Sequence, residues 1–149
     1  MKWVFKEVDN LENLEIELRK SVYDKEVADL VAYLENFQRL TPEVLPVKSG
    51  DQIQLIKVAD LALIDVAENY LVLTGAFGQV RTRLRLYQLM DKLANPDFVQ
   101  VSKQTVVNIN HLDYLEASFS GNMTAFLKGK HKTTVSRRYL KQLEARLGL

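Results

Sequence analysis

Residues 132–143 have the sequence KTTVSRRYLKQL, in which a strand-like segment passes directly into a segment with helical spacing. We predict a strand that ends before Ser136 and a helix that follows, because serine is a preferred N-cap and leucines then recur every three or four residues. Arg137 and Arg138 would lie in the first helical turn, where the helix dipole disfavours cations. A phosphate bound at the helix N terminus would make this position favourable. A surface ion pair or a solvated basic end is the alternative that the sequence leaves open.

Upstream of this helix, from residue 44 onwards, short alternating runs are separated by turn signals, which predicts short strands. The predicted strands are EVLPVK, QIQLIKV, LALIDV, YLVLTG, QVRTR, FVQV, QTVVNI, LDYLEAS, MTAFLK and KHKTTV. One short amphipathic helix, RLYQLMDKLA, interrupts them and ends at Asn95–Pro96. We therefore expect residues 44–149 to form a mainly β domain with short helices.

Residues 1–43 have a different pattern, and we predict that they form a ββα extension. KWVFKEV and NLEIEL both alternate, which favours two strands joined as a hairpin around residues 9–13. Residues 24–39 carry apolar side chains at helical spacing after Asp24, a suitable N-cap, and predict a helix. A unit of about 40 residues is small for a stable core of its own. We expect it to dock on the rest of the chain or on a second copy.

Charge is distributed unevenly between these two parts. Residues 1–43 carry 6 Lys and Arg against 10 Asp and Glu, a net charge of −4, whereas residues 44–149 carry 14 against 9, a net charge of +5. A basic portion of this kind suggests a polyanionic partner, although chance is an alternative. Lys130 lies within the cluster of basic residues around the predicted turn at residues 129–130.

Composition argues against several classes of function. The 149 residues are 47% hydrophobic and 26% charged, as in a folded globular protein, and include no cysteine for a disulfide, a thiol nucleophile or a thiolate metal site. Two histidines lack metal-ligand spacing, and no phosphate-binding glycine loop occurs. We expect no enzyme, no metal and no cofactor. No apolar run is long enough to span a membrane and the first residues do not resemble a secretory signal, so we expect a cytoplasmic protein.

Three strings in the last third resemble a known family. FVQVSKQTVVNIN, FSGNMTAFLKG and TVSRRYLKQL occur in the order and spacing typical of the LytTR family of bacterial DNA-binding domains, and DLALIDVAENYLVLTG is similar to its opening strands. The resemblance covers about residues 44–147. It implies a ten-stranded fold of three small sheets without a recognition helix. It also implies a transcriptional regulator that inserts loops into successive major grooves of double-stranded DNA, usually at paired direct repeats.

The resemblance assigns DNA contacts to three regions. The first is the loop at Glu68, Asn69 and Tyr70, where the glutamate would repel phosphate and the asparagine could pair with adenine. The second is the strand head at Ser102, Lys103 and Gln104, where lysine would act as a point charge. The third is the strand-to-helix junction at Ser136, Arg137 and Arg138, in which Arg138 aligns best with the family's base-reading arginine.

The extension is too short to be the receiver domain that precedes many LytTR domains. The chain therefore resembles the stand-alone regulators of Gram-positive bacteria, which are often encoded beside a small membrane protein that is thought to restrain them. We expect residues 1–43 to serve homodimerisation or docking to such a partner. The sequence thus indicates a sequence-specific transcriptional regulator. The alternative is a protein-interaction module or antagonist that keeps the fold without binding DNA.

Overall fold

The computed structural model describes residues 1–37 and 41–149. The chain divides into two compact units, residues 1–39 and residues 40–149. We call the described part of the first unit the N-terminal unit (residues 1–37) and the described part of the second the β unit (residues 41–149). No helix in either described range is long and apolar enough to cross a membrane.

The N-terminal unit contains one helix, α1 (Lys25–Phe37). It begins as predicted after Asp24, whose Oδ1 accepts a hydrogen bond from the backbone N–H of Val27 at 3.3 Å. The last two residues of the predicted helix, 38 and 39, lie outside the described residues.

The hairpin predicted before this helix is absent, because residues 1–23 contain no strand. The ββα prediction is therefore not confirmed in its two strands. An isolated two-stranded hairpin is marginally stable in water unless a further strand or a helix covers its apolar face. Here that face stays uncovered, with Trp3 83% exposed and Phe5 76% exposed.

The β unit contains ten strands and two helices in its described residues, as expected for the mainly β fold. The strands are β1 (Val44–Ser49), β2 (Gln52–Lys57), β3 (Leu61–Ala67), β4 (Tyr70–Gly75), β5 (Gly78–Thr82), β6 (Phe98–Gln100), β7 (Thr105–Asn108), β8 (Leu112–Ala117), β9 (Met123–Leu127) and β10 (His131–Val135). The helices are α2 (Leu86–Leu93) and α3 (Arg137–Leu147). Single 3-10 turns occupy Val58–Asp60, Ile109–His111 and Phe119–Gly121.

The strands form three antiparallel sheets, in agreement with the expected architecture. A central five-stranded sheet has the order β5-β4-β3-β7-β6, a three-stranded sheet has the order β10-β9-β8, and β1 pairs with β2. Successive side chains of a strand point to opposite faces of its sheet. Accordingly, Ile64 of β3 lies in one core with the β1–β2 hairpin and α2, whereas its neighbour Leu63 lies in a second core with β9, β10 and α3. The central sheet is thus covered on both faces, and its strand ends remain to build a site.

Candidate nucleic-acid interface

One end of the central sheet gathers the regions that the sequence singled out. The antiparallel register places the end of β3 beside the start of β4 and the start of β7, through the pairs Ala67↔Tyr70 and Asp65↔Thr105. The ends of β5 and β6 lie at this same end of the sheet. We call this end of the central sheet the basic end. It includes the connections formed by residues 68–69, 83–85 and 101–104.

Backbone hydrogen bonds fix these connections to one another. The N–H of Val66 in β3 donates to the carbonyl of Gln104 at 2.8 Å, which ties the 101–104 loop to the β3–β4 turn. The N–H of Ser136 donates to the carbonyl of Val101 at 2.9 Å, which brings the start of α3 to the same loop. All three predicted regions therefore meet at the basic end, although they are far apart in sequence.

The 101–104 loop is closed by its own polar groups. The backbone N–H of Gln104 donates to Ser102 Oγ at 3.2 Å, and Gln100 Nε2 donates to the carbonyl of Lys103 at 3.3 Å. Ser102 thus shapes the loop, while the side chains of Lys103 and Gln104 are exposed. Lys103 is consequently held in a constrained loop with its ammonium available to an anion.

The start of α3 is organised by a residue from another element. Ser136 occupies the N-cap position as predicted, but its side chain makes no capping hydrogen bond. Instead, Asn122 Oδ1 accepts from the N–H of Arg137 at 2.9 Å, and the side chain of Arg137 lies against Gly121. The side chains of Arg137 and Arg138 are exposed. The β8–β9 turn therefore supports the junction that carries both arginines.

The β3–β4 turn presents Asn69 with an exposed side chain. Its neighbour Glu68 has a φ of 51°, in the left-handed region that few residues other than glycine and asparagine adopt. Tyr70 is half-buried, and the Arg81 guanidinium carbon lies 5.8 Å from the centre of its ring. A cation at this distance interacts favourably with the face of an aromatic ring. Tyr70 is thus as much a support for Arg81 as a candidate contact of its own.

Lys130 is the predicted contact that the structure does not bring to the others. It lies in the turn before β10, and Ser136 follows the far end of that strand. Six residues of extended chain span about 20 Å. The neighbouring Lys128 N–H bonds to the carbonyl of His111, whose ring bonds to the carbonyl of Ala59 before the start of β3. Lys130 therefore lies toward the opposite end of the central sheet.

Charge at the basic end is largely unpaired. The described residues of the β unit contain one ion pair, between Arg146 and Asp97, whose charged atoms are 2.9 Å apart. This pair lies toward the opposite end of the central sheet. The carboxylate of Asp65 accepts a hydrogen bond from the Thr105 hydroxyl at 2.8 Å. No grouping of His, Asp and Glu suited to a metal ion occurs in the ranges that the structure describes. The basic end is suited to bind a polyanion.

A comparison with known families now bears on this geometry. The model of the LytTr DNA-binding domain matches residues 51–148. The chain belongs to the LytTR family. The match includes the three regions that meet at the basic end, and the family model describes a DNA-binding domain.

Two relatives and one solved structure show how far the likeness extends. An uncharacterised HTH-type transcriptional regulator of Staphylococcus aureus is 31% identical over 98 residues, which cover 66% of each chain. The sensory transduction protein LytR of Staphylococcus haemolyticus is 24% identical over 71% of this chain and 41% of its own length. The match thus spans less than two thirds of the first relative. The fold matches a LytTr DNA-binding domain from Bacillus cereus, with a TM-score of 0.65, 14% identity, and 72% and 99% coverage of this chain and that chain.

The helix-turn-helix in the relative's name has no counterpart in the described residues of this LytTR protein. A helix-turn-helix joins two consecutive helices by a short turn. Here five strands separate α1 from α2, and five more separate α2 from α3. The described elements therefore contain no pair of consecutive helices that a helix-turn-helix would require.

Sequence reasoning missed two features of this surface. Asn122 supports Arg137 across fifteen positions, and the only signal was an Asn beside Gly in a predicted turn. Arg81, Arg83 and Arg85 also lie at the basic end, but the sequence analysis placed Arg81 and Arg83 in a predicted strand and Arg85 in the predicted helix RLYQLMDKLA. Their location follows only from the register of β5 on β4.

Proposed function

We propose that this LytTR protein is a sequence-specific transcriptional regulator that reads double-stranded DNA through the loops at the basic end. The observation that carries the proposal is the convergence of Asn69, Lys103 and Arg138 at one end of a sheet, where no carboxylate of the described residues is paired to either cation. The name of the Staphylococcus aureus relative, a transcriptional regulator, supports a role in transcription.

The proposed DNA contacts are of three kinds. Arg138 grips a guanine edge or a phosphate with two hydrogen bonds, because its guanidinium forms a planar fork. Lys103 binds phosphate as a point charge, and Asn69 pairs with adenine. The proposed DNA-binding surface also includes Ser102, Gln104, Tyr70, Ser136 and Arg137. A contact from Lys130 would meet the duplex about 20 Å from Ser136 and stays a separate prediction.

Paired direct repeats require two copies of this surface, and we propose that residues 1–43 supply a homodimer contact. In the N-terminal unit, Trp3, Phe5, Tyr33 and Phe37 are each at least 65% exposed, so a large apolar area awaits a partner. A small membrane protein that restrains the regulator is the other expected occupant. Light scattering of the full chain and of a 44–149 fragment tests this part, and an unchanged oligomeric state after the deletion contradicts the dimer.

The main experiment compares binding to a duplex from upstream of the protein's own gene with binding to a scrambled duplex, by fluorescence anisotropy across a salt series. Preferential binding, with log K falling against log salt by about 0.9 per phosphate contact, supports a regulator that acts on DNA. Absence of binding even at low salt favours the alternative, an interaction module or antagonist that keeps the fold. That alternative rests on Glu68, an acidic side chain within the proposed surface.

A further inference from the structure

We propose that Arg81, Arg83 and Arg85 form a second phosphate-binding strip, which grips the DNA backbone at the opposite edge of the basic end from Arg137 and Arg138. The inference rests on the proposed DNA binding and extends it to residues that the three predicted regions do not include.

The strip is produced by one extended segment. Arg81 and Thr82 end β5, residues 83 and 84 follow, and Arg85, the N-cap residue of α2, has an extended backbone with φ −80° and ψ 150°. Burial alternates along the segment, since Thr82 is buried and Leu84 packs against the first core while the three arginines are exposed. Alternate residues of an extended chain point to the same side. The three guanidinium groups therefore project from one side of this segment.

The position of the strip follows from the strand order. β5 and β6 are the two edges of the central sheet, and neighbouring strands lie about 4.8 Å apart, so the edges are separated by about 19 Å. Asn69 and Lys103 lie between them, and the start of α3 is bonded to Val101, the residue that follows β6. The B-DNA major groove is about 12 Å wide. A surface of this width can place base-reading residues over a groove and cations over the phosphates on both sides.

The spacing and the charge state of the strip also suit a DNA strand. Three alternate positions cover about 13 Å of extended chain, over which one strand presents about four phosphates. None of the three arginines forms an ion pair with a described residue. The guanidinium carbon of Arg81 lies 5.8 Å from the centre of the Tyr70 ring, a distance at which the ring attracts the cation, so Tyr70 can help to hold Arg81 in place.

The test uses the full-length protein and a double variant, Arg83→Gln with Arg85→Gln, which leaves the Arg81–Tyr70 contact intact. We expect the salt slope of log K to fall by about 1.8 for two lost phosphate contacts. The ratio of wild-type to variant affinity should then be about 12-fold larger at 50 mM than at 200 mM salt. The preference for the specific duplex over the scrambled one should be unchanged.

The matched control is Lys57→Gln with Lys92→Gln, which removes the same charge from exposed positions away from the basic end. Circular dichroism melting confirms that both variants fold. A wild-type slope for the Arg variant, or equal slope changes in the two variants, overturns the strip, as does a changed duplex preference. The proposed function fails separately, when the wild-type protein itself does not distinguish the two duplexes.

Discussion

The side chain of Asn122 accepts a hydrogen bond from the backbone N–H of Arg137, with 2.9 Å between Oδ1 and N. The β8–β9 turn thereby supplies the cap that the adjacent Ser136 does not. The first turn of a helix has N–H groups without an intrahelical partner, and a side-chain oxygen satisfies one of them. The position of the two arginines that we propose to contact DNA thus depends on Asn122, which lies in the turn between β8 and β9.

Replacing this asparagine should weaken both stability and DNA binding. We expect Asn122→Ala to cost about 0.5–2 kcal/mol of unfolding free energy, the usual effect of losing a cap. DNA affinity should fall as well, because the start of α3 is less well held. Urea denaturation and anisotropy titration measure the two effects. Asn110→Ala, which removes a side-chain bond to Asp97, is the control. Full affinity in the Asn122 variant would contradict this role.

Arg138→Ala should cost about 1–3 kcal/mol of binding free energy and relax specificity at one base pair. The variant should lose affinity for the duplex with the correct base pair but not for a duplex in which that base pair is changed. Duplexes with single base-pair substitutions therefore identify the position that Arg138 reads. Lys103→Gln is the informative comparison, because losing a phosphate contact weakens all sequences alike. The assignment of Arg138 is wrong if the folded variant retains wild-type discrimination at every position of the site.

Glu68→Gln should raise DNA affinity. Its carboxylate lies in the proposed surface, and two unit charges 4 Å apart in water interact by about 1 kcal/mol, which corresponds to up to about a fivefold gain. The gain should shrink at high salt. Asp113→Asn, an exposed change in β8 away from the basic end, should have little effect. If the two variants gain affinity equally, general charge and not the turn is responsible.

Leu143→Ala tests how α3 is anchored. Leu143 is fully buried in the second core, so truncation should reduce the free energy of unfolding by about 2–5 kcal/mol. Leu147→Ala in the same helix is the comparison, and since Leu147 is 37% exposed its loss should be much smaller. Guanidinium denaturation followed by circular dichroism provides both values. Similar losses for the two variants would mean that α3 is not held through Leu143.

The start of α1 should depend on pH through Asp24. The ammonium of Lys20, 2.7 Å away, and then the N–H of Val27 hold the pKa of Asp24 below its usual range. A lowered folded-state pKa stabilises the helix above the unfolded pKa of about 3.9, and this contribution is lost as the pH falls through the folded pKa. Hydrogen exchange should show better protection of the first turn in wild type than in Asp24→Asn at pH 6. The difference should vanish on acidification, and a pH-independent difference would contradict the assignment.

The strands of the β unit could be predicted because turn residues separate short apolar runs, and because a strand such as β1 alternates buried and exposed residues. Alternation failed as a guide in residues 1–18, which form no strand although their apolar residues alternate. The sequence itself singled out Arg137 and Arg138 as candidate phosphate contacts, and only the resemblance to a family joined them to the other two regions of the candidate site. The support of Arg137 by Asn122 depends on a hydrogen bond between separate elements, and the position of Arg83 depends on strand register, so neither is visible as a local pattern.

The two cores on opposite faces of the central sheet meet at β3, where Leu63 belongs to one and Ile64 to the other. Unfolding of either core would expose one face of β3 to water. Residues 41–149 should therefore unfold in a single cooperative transition, so the loops at the basic end share the global protection of the sheet to which they are bonded. Residues at the loop tips, which contribute little to either core, are then free to vary in sequence, and a new DNA preference could arise without a loss of thermal stability.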